Sequence, residues 1–301
     1  MEKKVSGRVS QEDNNLKLET FLKTRLHLTK NEISRAKFLE NGICVNGKRQ
    51  KIDTRVKSGD LVEVLLETKH ETSQNLRDSS KSISVLYEDT DVIVVNKPAG
   101  ISVHPAGKND SDTLANRLAY YLRNKGEDSV IRIFGRLDKD TSGVVLAVKN
   151  RAAATRLELQ REKHILFKNY LAVVQGIPSP AKGRINIPLS PDPQNRKQVC
   201  ADPNGKPAVT CYETVAVNND HALIRLRLET GRMHQIRIHM ASIGCPLLGD
   251  PLYGNKTVSE IKRTALHAQM IHFLQPFTEK EIQVTAPVPE DIRLIFHPEI
   301  L

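Results

Sequence analysis

Tryptophan is absent, and all aromatic residues together make up 4% of this 301-residue chain. A binder of single-stranded nucleic acid built on rows of stacking rings is therefore disfavoured. No apolar run approaches the roughly 20 residues that span a bilayer. The opening MEKKVSGRVSQEDNN has no apolar stretch, so no secretory leader or membrane contact is expected, and a cytoplasmic location is. The four cysteines, Cys44, Cys200, Cys211 and Cys245, form no CxxC pair. That spacing suits a reducing compartment and offers neither a disulfide framework nor a zinc knuckle. GxxxxGK[ST] and GxGxxG are missing too, so no phosphate-cradling loop is signalled. His234 and His239 are five positions apart, as are His267 and His272, which does not place two ligands on one helix face. No cofactor and no metal are expected.

What the chain does have is positive charge: 45 Lys and Arg against 35 Asp and Glu, a net +10. Such a field draws a polyanion such as nucleic acid, although a solvated basic surface has the same composition. Residues 1–14 are polar and read as a flexible tail. Residues 15–66 form a compact α+β module. LETFLKTRL sets Leu18, Phe21, Leu22 and Leu26 on one helical face. Thr29 and Glu32 make a capping box for a second helix, stopped by Gly42. A short strand then meets an Asn-Gly hairpin turn at Asn46 and Gly47, and GDLVEVLL closes the unit as a strand. The module carries Lys30, Arg35, Lys37, Lys48 and Arg49 around its helix ends and hairpin. Residues 67–82, polar and without periodicity, read as a linker that lets the module move independently. A larger unit, 83–301, mixes strands (DVIVVNKPAG, SGVVLAVKN, KNYLAVVQG, HALIRLRLETG) with helices near 112–126, 152–161 and 232–244.

Several polar residues in this unit sit in apolar surroundings. GRLDKDTSG places Arg136 and Asp138 around Leu137 just before a strand. Asp-containing turns between strands are common for hydrogen-bonding reasons alone, so this segment by itself leaves Asp138 as turn-maker or as catalyst. The helix RMHQIRIHMASIG carries Arg232, Gln235, Arg237 and His239 between apolar residues on nearly every side. Two readings fit: arginines snorkelling from a helix end, or one arginine turned inward to pair with a buried carboxylate.

The blocks VLYEDTDVIVVNKPAGISVHP, GRLDKDTSGVVLAVKN, KNYLAVVQG, GKPAVTCYE, LETGRMHQIRIHMASIGCPLLGDPLYG and LHAQMIHF resemble, in order, those of the RluA-type pseudouridine synthases. The resemblance runs from 83 to about 290. The module at 15–66 resembles the small RNA-binding domain first seen in ribosomal protein S-four. One position departs: family members commonly have His before RLD, and this chain has Gly135. The resemblance implies an α+β fold, with a mixed, mostly antiparallel sheet, flanking helices and a central cleft. It also implies isomerisation of uridine to pseudouridine within RNA, with no cofactor.

On that resemblance Asp138 is the catalytic carboxylate, with Asp140 next in line, and Thr141, Ser142 and Gly143 are the turn that fixes it. Asp138 would attack the anomeric carbon of the ribose or take a proton from the neighbouring ribose carbon. Tyr170 would stack on uracil and act as acid or base at its carbon five, while Arg237 faces the carboxylate. Arg136, Arg232, Gln235, His239 and Lys206 would bind substrate. Arg184, Arg196, Lys197 and Lys206, with the N-terminal cations, would grip the phosphates. A monomer acting on large-subunit ribosomal RNA is expected. Transfer RNA, or a non-catalytic RNA-binding or ribosome-assembly role, is the alternative.

Overall fold

Apolar side chains collect into one large core between 92 and 286, a separate small one between 9 and 64, and two minor clusters between 173 and 296 and between 189 and 238. A computed structural model describes residues 3–67, 79–105, 111–127, 131–195, 198–254 and 261–296. The small core is roofed by helices α1 (Leu18–Thr24) and α2 (Lys30–Ala36). Beneath them lies a four-stranded sheet of β1 (Lys3–Arg8), β2 (Ile43–Val45), β3 (Lys48–Arg49) and β4 (Leu61–Glu67), in the order β1-β4-β2-β3. The capping box of α2 is formed as expected: Thr29 Oγ1 accepts from the Glu32 N–H, and Glu32 Oε2 accepts from the Thr29 N–H. Asn46 and Gly47 both take positive φ, as the β2–β3 hairpin turn requires. The second helix ends at Ala36, well before Gly42.

The stretch 1–14 is not a tail where it is described. Lys3–Arg8 pairs antiparallel with β4. The signal lies in Val5, Gly7 and Val9, spaced by two and hidden among charged and polar neighbours. A side chain at Gly7 would meet Leu26 Cδ2 at 2.7 Å, so glycine lets the strand lie close against the α1 end.

Nor is the module free of the rest of the chain. Glu32 uses one carboxylate oxygen for its cap and the other to accept from Arg156 Nη1 at 2.6 Å. Both side chains are nearly buried. Of the segment read as a linker, 68–78 lies outside the described residues. At its far end Ser79 Oγ and Lys81 Nζ donate to Asp112 at 2.9 and 2.6 Å.

The large unit contains β5 (Ser84–Glu88), β6 (Val92–Lys97), α3 (Leu114–Asn124), β7 (Arg132–Phe134), β8 (Ser142–Val148), α4 (Arg151–Glu162) and β9 (Phe167–Gln175). There follow β10 (Lys182–Asn186), β11 (Leu189–Pro191), β12 (Val199–Ala201), β13 (Val209–Asn218) and β14 (His221–Leu228). Helix α5 (Gln235–Ser242), β15 (Leu266–Leu274), β16 (Glu281–Thr285) and α6 (Glu290–Arg293) complete it. The main sheet runs β10-β13-β14-β9-β15-β8-β6-β5, with β16 on β15 and β7 on β8. Among the described residues only the β8–β15 pair is parallel. The mixed, mostly antiparallel sheet expected above is present. Every residue of β8 is buried, the pattern of a central strand covered on both faces. Leu114 and Leu118 of α3, with Ala153 and Leu157 of α4, close the core.

At the β8–β15 junction His267 is 1% exposed, and its Nδ1 lies 2.9 Å from Ser142 Oγ. Burial pulls its pKa down to about 4, opposed in part by the Ala286 backbone, which favours the protonated ring. Unfolding releases it to about 6.5, so between those values the unfolded chain binds more protons. Stability is therefore lost as pH falls from 6.5 towards 4, by about 3 kcal/mol from this group. Urea unfolding at pH 7 and 4.5 should show the loss, and His267→Asn should lessen it; equal pH dependence in the two proteins would contradict the assignment.

Candidate active site

GRLDKDTSG crosses from β7 to β8. Gly135 turns the chain with φ +78°. Leu137 is buried in the main core, while Arg136 and Asp138 on either side of it line a cleft of about 380 Å³. The Thr141 N–H donates to the Asp138 carbonyl at 3.2 Å and closes the turn. At Gly143 a β-carbon would fall 2.1 Å from the Ala268 carbonyl oxygen, so only glycine permits β15 to approach here.

The two peptides after Asp138 are clamped by cations that the sequence reading did not single out. Lys97, fully buried, donates Nζ to the carbonyls of Pro98, Ile101 and Lys139, each at 2.9 Å. Burial lowers its pKa to about 8, partly offset by Asp140 and Asp138. Arg263 donates Nη1 to the Asp140 carbonyl at 3.1 Å and Nε to Asp291 at 2.6 Å. A buried donor satisfying three carbonyls ties two loops together and leaves little slack in the turn that carries Asp138.

Arg237 of α5 forms the floor of the cleft. Its Nε and Nη2 donate to Asp250 at 2.7 and 2.6 Å, and its Nη1 lies 3.5 Å from Asp138 Oδ2. The inward-facing arginine is present, but its tight partner is Asp250, fully buried and missed in the sequence. Asp250 also accepts from the N–H groups of Leu252 and Tyr253. Burial alone would lower the pKa of Arg237; the hydrogen bonds and charge of Asp250, with the charge of Asp138, outweigh it and raise it. Tyr170, in β9, is 7% exposed. Burial and then the Asp138 charge push its phenol above its usual value, so it keeps its proton at neutral pH.

Two residues assigned to substrate are structural. Gln235 is 2% exposed: its Oε1 accepts from Arg232 N–H and Thr230 Oγ1, and its Nε2 donates to the Val209 carbonyl. His239 is fully buried between Thr210 Oγ1 and the Ile187 carbonyl. The helix carries polar groups on all sides because β12 and β13 pack over it, and those groups satisfy buried backbone and hydroxyls. Arg232 and Lys206 are exposed on either side of Pro207, whose carbonyl accepts from Arg232 Nε. Arg184 is engaged by Glu229 at 2.8 Å. Arg196 and Lys197 lie outside the described residues. Lys30, Arg35, Lys37, Lys48 and Arg49 are all exposed, and Arg49 Nη2 donates to the Lys37 carbonyl. His234 was not singled out as a site residue, yet it lines the cleft opposite Asp138. Among the described residues no group of three or more His, Cys, Asp or Glu is placed to hold a metal ion.

Residues 91–242 match the family model described as RNA pseudouridylate synthase. The uncharacterised RNA pseudouridine synthase YhcT of Bacillus subtilis is 38% identical over 79% of this chain and 78% of its own length. Ribosomal large subunit pseudouridine synthase D of Zymomonas mobilis is 40% identical over 71% of this chain and 72% of that protein. Its namesake from Escherichia coli O157:H7 is 36% identical, with 84% and 81% covered. Among solved structures, human RNA pseudouridylate synthase domain containing 4 is similar in fold, with a TM-score of 0.56 and 24% identity over 69% of this chain and 90% of that one.

Proposed function

The chain belongs to the RNA pseudouridylate synthase family, and from that premise we propose that Asp138, Tyr170 and Arg237 isomerise uridines of large-subunit ribosomal RNA. The observation that carries this reading is the arginine between two carboxylates: Arg237 is anchored by Asp250 and presents its remaining nitrogen to Asp138 at the cleft.

The chemistry needs no redox change and no group donor. The bond between ribose and the base nitrogen breaks, the uracil turns, and a carbon–carbon bond forms at carbon five, which then gives up its proton. Asp138 starts this by attack on the anomeric carbon or by removing the adjacent ribose proton. Both routes use a carboxylate held beside a cation in a confined cleft. Tyr170, protonated and within reach of the Asp138 charge, is a proton donor or relay for the base. Arg136, exposed on the cleft wall, suits a phosphate or the flipped nucleotide. A uridine inside a duplex is out of reach, so the target is unpaired or flipped.

The RNA assignment rests on the names of relatives such as the Zymomonas and Escherichia proteins. Pseudouridine mapping of RNA from cells lacking this protein tests it. Loss of defined sites from large-subunit ribosomal RNA, restored by the wild-type gene, is expected; loss from transfer RNA alone would overturn the target. We take the enzyme to act as a cytoplasmic monomer. No described helix is long and apolar enough to cross a membrane.

The N-terminal module supplies grip in this reading. It holds eleven Lys or Arg between 17 and 57 against six Asp or Glu between 19 and 63. Because the module is docked through Glu32 and Arg156, deleting it would also remove the carboxylate partner of Arg156 and uncover the surface it packs on. Neutralising Lys30, Arg35, Lys37 and Lys48 to Gln is the cleaner change. For every phosphate of single-stranded RNA that these cations no longer neutralise, the slope of log affinity against log salt should flatten by about 0.7. A total change of about 3 is expected, with the single-turnover rate at saturating RNA preserved. An unchanged slope would make these cations a solvated face only.

A further inference from the structure

His234 occupies the position before α5 with φ +52°, a left-handed backbone that non-glycine residues rarely adopt outside constrained sites. Its side chain does not cap the helix. Instead Nδ1 lies 3.0 Å from Tyr253 Oη, and Nε2 lies 3.8 Å from Asp138 Oδ2. The hydrogen-bond directions can be worked through from the far end. The Val199 N–H, which can only donate, gives its proton to Tyr253 Oη at 2.9 Å. The tyrosine's own proton is then free to go to His234 Nδ1. An imidazole that accepts at Nδ1 carries its proton at Nε2. That N–H points at the catalytic carboxylate.

Two donors thus converge on a single oxygen: Arg237 Nη1 at 3.5 Å and His234 Nε2 at 3.8 Å both face Asp138 Oδ2. We propose that His234 is a positioning residue for Asp138, holding Oδ2 together with Arg237 so that Oδ1 is the oxygen presented to the ribose. This rests on the reading of Asp138 given above. Both separations exceed a formed hydrogen bond, and substrate closing the cleft is what shortens them. The imidazole is kept neutral by burial and by Arg237 and Arg136, against the pull of Asp138 and Asp250. Burial also raises the pKa of Tyr253, which therefore keeps the proton that the relay needs. Tyr253 in turn is held by its N–H to Asp250 and by its ring, which lies 5.2 Å from the Arg237 guanidinium. The same short loop therefore orients both donors.

The test compares wild type, His234→Ala, His234→Gln and Tyr253→Phe in single-turnover pseudouridine formation, with RNA affinity and thermal melting measured for each. His234→Ala should slow the chemical step roughly 10- to 100-fold with RNA affinity within about twofold, as misplacing a reacting group does. His234→Gln, whose side-chain amide brings an N–H to the place of Nε2, should recover most of the rate. Tyr253→Phe should fall between them, because the imidazole stays but its tautomer is released. Nitrogen-15 shifts of the His234 ring report the tautomer without turnover, and a proton on Nε2 is expected. A proton on Nδ1, a wild-type rate in His234→Ala, or a folded His234→Gln as slow as His234→Ala would overturn the proposal. Should His234→Ala fail to fold, the Gln and Tyr253 variants and the tautomer decide it. Inactivity of the wild type would instead strike the reading of the function, leaving the tautomer result to stand by itself.

Discussion

Arg237→Met is expected to lose about 3–5 kcal/mol of stability and most of the catalytic rate. Methionine fills much of the space of the arginine stem, so the loss is one of charge and hydrogen bonds. The stranded partner is Asp250, whose side chain is 0% exposed and which is deprived of both guanidinium hydrogen bonds at once. Its remaining donors, the N–H groups of Leu252 and Tyr253, do not neutralise a buried carboxylate. Asp138, at 3.5 Å and partly exposed, contributes less to the stability loss and more to the rate. Urea unfolding separates the two effects from single-turnover kinetics. A variant that unfolds like wild type and keeps full activity would mean the arginine does not serve the cleft.

Asp138→Asn should leave folding and RNA affinity close to wild type and lower turnover by about a thousandfold or more, as loss of a nucleophile or base does. The side chain keeps its shape, and with about a fifth of its surface open to solvent it needs no charge to satisfy a buried neighbour. The amide can neither attack the anomeric carbon nor remove a ribose proton. Asp140 stands two residues away on the same cleft, with its carbonyl held by Arg263, and it is Asp138 that faces Arg237 at 3.5 Å. Normal pseudouridine formation by Asp138→Asn would move the chemistry to Asp140.

The parts of the molecule legible in the sequence are those whose signal is local. The capping box at Thr29 and Glu32, the hairpin at Asn46 and Gly47 and the apolar runs of β6 and β8 each declare themselves within a few residues. Asp138 and Arg237 stand 99 positions apart and were brought together only by the family's order of blocks. What was missed depends on tertiary packing. Asp250 looks like an ordinary Asp-Pro turn until α5 delivers a guanidinium to it. Lys97 ends a valine-rich strand, and nothing nearby announces that its amine serves three carbonyls. Gln235 and His239 misled in the opposite sense: polar residues around a whole helix suggested a ligand, whereas strands covering that helix use them. Strand β1 was hidden because Val5, Gly7 and Val9 alternate with charge-bearing and polar residues in a segment of low average hydropathy.

The most direct measurement follows the proton at carbon five of uracil, which must leave when the new carbon–carbon bond forms. Large-subunit ribosomal RNA transcribed with tritium at that carbon would be mixed with purified protein and the label released to water counted. The account predicts release by the wild type up to a fixed number of sites per RNA, and none above background by Asp138→Asn. Equal release by both proteins, or no release by the wild type from this RNA, would contradict it.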